Sequence, residues 1–198
     1  MINSRKSRGM SVAELLTVIA IIGVMVSVSV PAFSNLRRRN AVRAAVGEIR
    51  GVIHLTRARA VSRGSNAAVR FRQDGDEWVY LIYDDGDGDG VRNVDIERGI
   101  DPLASGPHRV LDKQTTVRIA LPEFPLRDPD TNRVLPADAS PVRFNRSKLC
   151  SFSPRGSGTS GSVFLTDGRE MVAVVRIFGP TARVRMMLFD SQTNRWKK

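Results

Sequence analysis

An unbroken apolar run comes first in the chain. From Leu15 to Phe33 no position is charged. At about 1.5 Å per residue a helix of that length covers roughly 28 Å, close to the hydrocarbon thickness of a bilayer. The pattern then changes. Val42, Val46, Ile49, Ile53 and Ala60 recur at spacings of three, four and seven, with Arg43, Arg50 and Arg57 repeating every seven residues beside them. That is the stripe of an amphipathic helix. Helix-favouring residues continue to about Ser62, and Gly64 supplies a stop. One helix from Met10 to Arg63, about 80 Å long, is predicted, with a second half that packs against a domain.

Past Gly64 the period falls to two. Ala67 to Arg72 and Glu77 to Tyr83 alternate around Asp74-Gly75, a hairpin signal. Further strands are predicted at Thr116 to Ala120, Val142 to Phe144, Ser162 to Thr166, Met171 to Phe178 and Arg183 to Phe189, with a tight turn at Asp167-Gly168. Residues 84–108 and 121–141, rich in Gly, Pro and Asp, read as loops. The fold class is α+β, a long N-terminal helical spine on an antiparallel β domain. No internal repeat is evident.

Composition narrows the chemistry. The chain has 198 residues and a net charge of +11. About 130 residues remain after the first third, enough for one modest core. Cys150 is the single cysteine and cannot form an internal disulfide. The basic excess is largely arginine, at Arg37, Arg38, Arg39, Arg43, Arg50, Arg57, Arg59 and Arg63, and again at Arg176, Arg183, Arg185 and Arg195. Such a surface attracts phosphates of DNA or lipid, or is simply a solvated face. No catalytic array is recognisable, and no enzyme is expected. His54 and His108 belong to no ligand pattern, and the Ser/Gly run 156–162 lacks the lysine of a phosphate loop.

Three readings of the apolar run compete: a cleaved secretory signal, a plain membrane anchor, and a specialised segment. Arg5, Lys6 and Arg8 with Val30-Pro31-Ala32 suit the first. Glu14 suits neither of the first two, because a carboxylate entering a hydrocarbon segment costs insertion energy. A basic leader, Gly9, Met10 and then Glu14 before "LLTVIAIIGVM" resemble the class III signal of type IV pilins and type II secretion pseudopilins. "HLTRARAVSRGSNAAVRF" and "FSPRGSGTSGSVFLTDGREMVAVVRIFGPTARVRM" resemble, more narrowly, the pseudopilin H/FimT group. The resemblance covers roughly residues 9–83 and 142–189; residues 84–141 have no counterpart in it.

The resemblance implies a type IV pilin fold. It divides the chain into a leader (1–9), a hydrophobic assembly half-helix (10–33), an amphipathic half-helix (34–64) and a β-rich domain (65–198). Prepilin peptidase would cut between Gly9 and Met10 and methylate the Met10 amine, leaving side chains of charge +11 − 3 = +8. Glu14 would pair with a neighbouring subunit's new amine, and Gly23 and Pro31 would bound a stretch of helix that can loosen. The implied protein is a minor pilin of the pilus tip or priming complex. It would be a single-pass bacterial inner-membrane protein with a periplasmic domain, and its partners would be other minor pilins and the major pilin. A secretion pseudopilin and a DNA-binding minor pilin are the alternatives.

Two surface motifs carry further expectations. In "DDGDGDGVRNVDIE", Asp85, Asp87 and Asp89 alternate and Gly90 follows where a calcium loop turns. The Val91 carbonyl and Asp95 would complete a calcium site, although the twelfth position is Ile96; Asp-Gly repeats are equally good turn formers. In "ARVR", Arg183 and Arg185 would project from one strand face toward DNA phosphates, with Ala182 where similar minor pilins carry glycine.

Overall fold

The computed structural model describes residues 11–111, 115–136, 138–191 and 193–197, and leaves aside the side chains at 28, 30, 31, 32 and 35. Two compact units divide it, Met1–Arg38 and Arg39–Lys198. The first helix, α1 (Val12–Arg63), belongs to both. Its second half behaves as the stripe predicts: Val42, Val46, Ile49, Ile53 and Ala60 are 0–2% exposed. Arg43 and Arg50 face water and Arg57 is half-buried. Gly64 follows at φ +66°, the left-handed conformation that ends a helix at little cost to glycine.

Two antiparallel sheets complete the second unit. The first has the order β3-β2-β1-β5, from β1 (Ala67–Asp74), β2 (Glu77–Asp84), β3 (Leu103–Arg109) and β5 (Leu149–Phe152). The second has the order β4-β6-β7-β8-β9, from β4 (Val142–Arg143), β6 (Gly161–Thr166), β7 (Val172–Phe178), β8 (Arg183–Asp190) and β9 (Arg195–Lys197). The fold is thus α+β, as the pattern predicts. The main core joins the α1 stripe to Val69, Phe71 and Ile82 of the first sheet and to Val163, Leu165, Val175 and Ile177 of the second.

The remaining faces of both sheets are covered by the two loop regions. Val91 joins Ala68, Leu81 and Tyr83 on the far face of the first sheet. Leu126 and Leu135 join Phe164, Val174 and Phe189 on the far face of the second. Trp196 fastens this cover, packing against Phe164 and Phe189 and donating its indole N–H to the Arg127 carbonyl at 2.7 Å. Central strands β6 and β7 are therefore buried on both sides, and each burial adds about 25 cal/mol per Å² of apolar surface.

Several expectations need correction. Residues 84–108 are not all loop: they hold a short helix, α2 (Asn93–Arg98), and strand β3. Asp101 organises this stretch, because its buried carboxylate accepts the N–H groups of Gly86 and Arg92. Residues 116–120 form no named strand. Only Arg118 pairs, its N–H donating to Thr166 and its carbonyl accepting in return, both at 2.9 Å. Strands β5 and β9 escape the alternation rule, being short and either mostly apolar or mostly charged.

Candidate functional site

The start of α1 gives Glu14 a local partner. Ser11 precedes the first helical residue, its hydroxyl accepts the Ala13 N–H at 3.3 Å, and Glu14 Oε2 accepts the Ser11 N–H at 3.2 Å. Reciprocal bonds of this kind, in the pattern S-x-x-E, are a capping box that satisfies orphan donors of the first turn. A carboxylate there also gains from the positive end of the helix dipole. Gly9 and Met10 lie outside the described residues, as does the Pro31 side chain. The backbone is helical through Gly23 and Pro31.

Apolar side chains cover every side of α1 from Leu15 to Val26. Between Leu15 and Val26, nine large ones are 45–66% exposed. Hiding the exposed half of such a side chain is worth about 1 kcal/mol. Nine of them approach the 5–15 kcal/mol that holds a whole domain together. The polar residues within the run are self-satisfied: the hydroxyls of Thr17, Ser27 and Ser29 donate to the carbonyls of Ala13, Val24 and Met25 at 2.7–2.8 Å. Among the described residues no helix is long and apolar enough to cross a membrane.

The acidic loop brings together fewer residues than its sequence suggests. Carboxylate oxygens of Asp85, Asp87 and Asp89 lie within 4.8 Å of one another. Asp95 is outside that group, buried on α2, with its backbone carbonyl accepting the N–H of Ile100 and Asp101. Val91 buries its side chain beneath the first sheet. Asp85 is already engaged by Asn66 Nδ2 at 2.6 Å and by the N–H groups of Gly88 and Gly90. Burial alone would raise its carboxyl, but these bonds outweigh that and hold it below the ordinary carboxylate value. Asp89 is ion-paired with Arg92. A cation at this loop competes with each of those partners.

On the second sheet, strand register sets a row across one face: Arg143 of β4, Ser162 of β6, Arg176 of β7 and Arg185 of β8 stand opposite one another in turn. The first two arginines, Arg143 and Arg176, are engaged. Arg143 pairs with Asp128 at 3.2 Å, Arg176 donates to Ser162 at 2.7 Å, and Arg176 is also ion-paired with Asp130. Asp128 and Asp130 belong to the same loop that covers this face. Arg185, with Arg183 two residues before it, is exposed and makes no ion pair among the described residues. The predicted projection of the two from one face is present. Ala182 sits at φ +47°, the left-handed geometry in which glycine is the easier residue. An alanine can therefore hold the turn that the glycine would hold.

Comparison with protein-family models, with curated proteins and with solved structures finds no match to this chain.

Two charged residues that sequence reasoning passed over matter to the architecture. Asp84, at the end of β2, accepts both guanidinium N–H groups of Arg59 at 2.6 and 2.7 Å and lies 3.5 Å from Arg63. The Arg59 bonds hold the Asp84 carboxyl below the ordinary value against the opposing effect of burial, and Arg63 assists. The pair ties the last turns of α1 to the first sheet. Asp101 is the other. Asp84 opens the acidic motif without being one of its alternating ligands, and Asp101 lies beyond it; only the hydrogen bonds reveal their roles.

Proposed function

We propose that this chain is a minor subunit of a type IV pilin-like filament. It is processed by prepilin peptidase after Gly9, stored in the bacterial inner membrane, and drawn into a tip or priming complex with other minor pilins and the major pilin. The observation that carries the reading is the first half of α1. It is a helix apolar on all sides, with self-bonded hydroxyls and one carboxylate at its mouth, exposing far more hydrophobic surface than a monomer in water tolerates. Such a helix suits transfer from bilayer to the interior of a helical bundle. The role is mechanical: the β domain stays at the filament surface and meets neighbouring subunits.

The capping box makes the assembly role of Glu14 separable from its local one. Glu14→Gln keeps an acceptor for the Ser11 N–H but removes the charge, whereas Glu14→Ala removes both. Pairing with a neighbour's amine requires both variants to lose assembly into filaments. Retention by Glu14→Gln would reduce the residue to a cap. The first test is the mass of the N-terminus in cells with active prepilin peptidase: an uncleaved chain would overturn the proposal.

A secretion pseudopilin shares all of these features, and neighbouring genes separate the two. The DNA-receptor reading stands behind both. Asp128 and Asp130 occupy Arg143 and Arg176, leaving Arg183 and Arg185 to meet phosphates. Two phosphate contacts give a salt slope of only about −1.8 on the logarithmic scale. Calcium at Asp85, Asp87 and Asp89 is a separate proposal, tested by melting the protein in calcium and in chelator. Equal melting temperatures would remove it.

A further inference from the structure

The two sheets end in four edges, and three are closed to further pairing. β3 carries Pro107 and register shifts against β2 between Tyr80 and Tyr83. The outer side of β5 is met by its own following turn, through the Phe152–Gly158 bridge and the Thr159 N–H to Ser151 carbonyl bond. β4 has only two residues. Short strands, prolines and irregular register are the usual means of blunting an edge.

The fourth edge is different. β9 pairs with β8 only at Leu188, Phe189 and Asp190, whereas β7 pairs with β8 along its length from Arg183 to Phe189. Arg183–Met186 is thus a regular strand with one free side. On alternate residues its N–H and C=O groups point away from β7 with no hydrogen-bond partner among the described residues. Arg183 and Arg185 stand on the outer face without ion pairs, and Val184 and Met186 pack inward against the core.

We propose that this edge receives an extended acidic segment of another protein as an additional strand. Main-chain bonds to Arg183–Met186 would supply affinity, and carboxylates two residues apart, opposite Arg183 and Arg185, would supply selectivity. The residue between them falls on the inner side beside Val184 and Met186 and is apolar. A second copy of this chain is a poor occupant. Antiparallel β8–β8 registers centred on Arg183, Val184 or Arg185 set arginine opposite arginine, which repels. The proposal does not depend on the filament reading and would hold for a chain with another role.

The test uses the full chain in detergent micelles and the acetylated, amidated peptide Thr-Glu-Val-Glu-Val-Glu-Thr. The expected result is binding that protects amides within Arg183–Met186 from hydrogen exchange. The Arg183→Glu/Arg185→Glu variant should bind this peptide at least tenfold more weakly and should gain affinity for the peptide with lysine in place of glutamate. That gain shows the variant is folded. Of two peptides N-methylated on alternate amides, one should lose binding and the other keep it. No binding, protection elsewhere, or equal binding of both N-methylated peptides overturns the proposal. Arginine-dependent binding of duplex DNA without binding of the peptide also overturns it, and assigns the pair to phosphates.

Discussion

The two halves of α1 share a backbone and a wealth of apolar residues, yet they meet opposite fates. From Leu15 to Val26 every large apolar side chain stands exposed, at 45–66%. From Val42 to Ala60 the stripe residues are 0–2% exposed and anchor the main core. The first span carries no charge and the second has Arg43, Glu48, Arg50, Arg57 and Arg59 beside its stripe, so arrangement separates them as well as content. A stripe about 100° wide can be satisfied by one sheet, whereas a helix apolar all round needs an apolar surrounding, which the rest of one chain of this size does not supply. The lesson is that hydrophobicity states what must be hidden, and periodicity states from how many directions.

Substitutions at matched positions sharpen that contrast, and the largest effect is expected in the stripe. Ile49→Asp places an unpaired carboxylate at a fully buried position and should cost about 4 kcal/mol or more, seen as loss of the cooperative unfolding transition. Ile19→Asp, at a site 57% exposed, should leave that transition in place; under the membrane storage proposed above, its effect appears instead as weaker retention in membranes. Next in size, Ile53→Ala should lower stability by about 2–5 kcal/mol in urea unfolding, chiefly through the cavity it leaves. Ile22→Ala should stay within about 0.5 kcal/mol. Equal effects of the paired substitutions on domain stability would break the comparison.

A smaller effect is expected where the buried half meets the first sheet. Asp84→Asn should cost about 1–3 kcal/mol at neutral pH by weakening the bonds from Arg59. The Asp84 carboxyl is depressed in the folded chain, so its contribution is fully present above the unfolded value of about 3.9 and is lost as pH falls through the lower folded value. Wild type should therefore weaken with falling pH below about 4, and the variant should show a shallower decline there. An unchanged acid limb would mean that the clamp carries no linkage.

The sequence made the helix legible, because Val42, Val46, Ile49, Ile53 and Ala60 obey a period that only one structure satisfies. The hairpin around Asp74-Gly75 was equally plain, as were the central strands, whose apolar runs lie under both layers. What escaped was set by contacts distant in sequence. Residues 84–108 read as loop because Asp101, which binds Gly86 and Arg92, imposes their order from outside any local pattern. Thr116 to Ala120 has the composition of a strand, but only Arg118 finds a partner. At the candidate sites, the alternation of Arg183 and Arg185 was readable. The neutralisation of their neighbours by Asp128 and Asp130 was not, since that depends on where a loop of 121–136 comes to rest. The sequence marks Glu14 for assembly, and the hydrogen bond to its own first turn adds a second occupation.

Trp196 fixes an order of events during synthesis. The cover over β6 and β7 is pinned by an indole that emerges 69 residues after its acceptor, the Arg127 carbonyl. Until then Phe164, Val172 and Val174 have an incomplete roof, and a nascent chain in that condition is open to aggregation. The outer layer cannot be complete before Trp196 has been made, so its closure is expected late in synthesis.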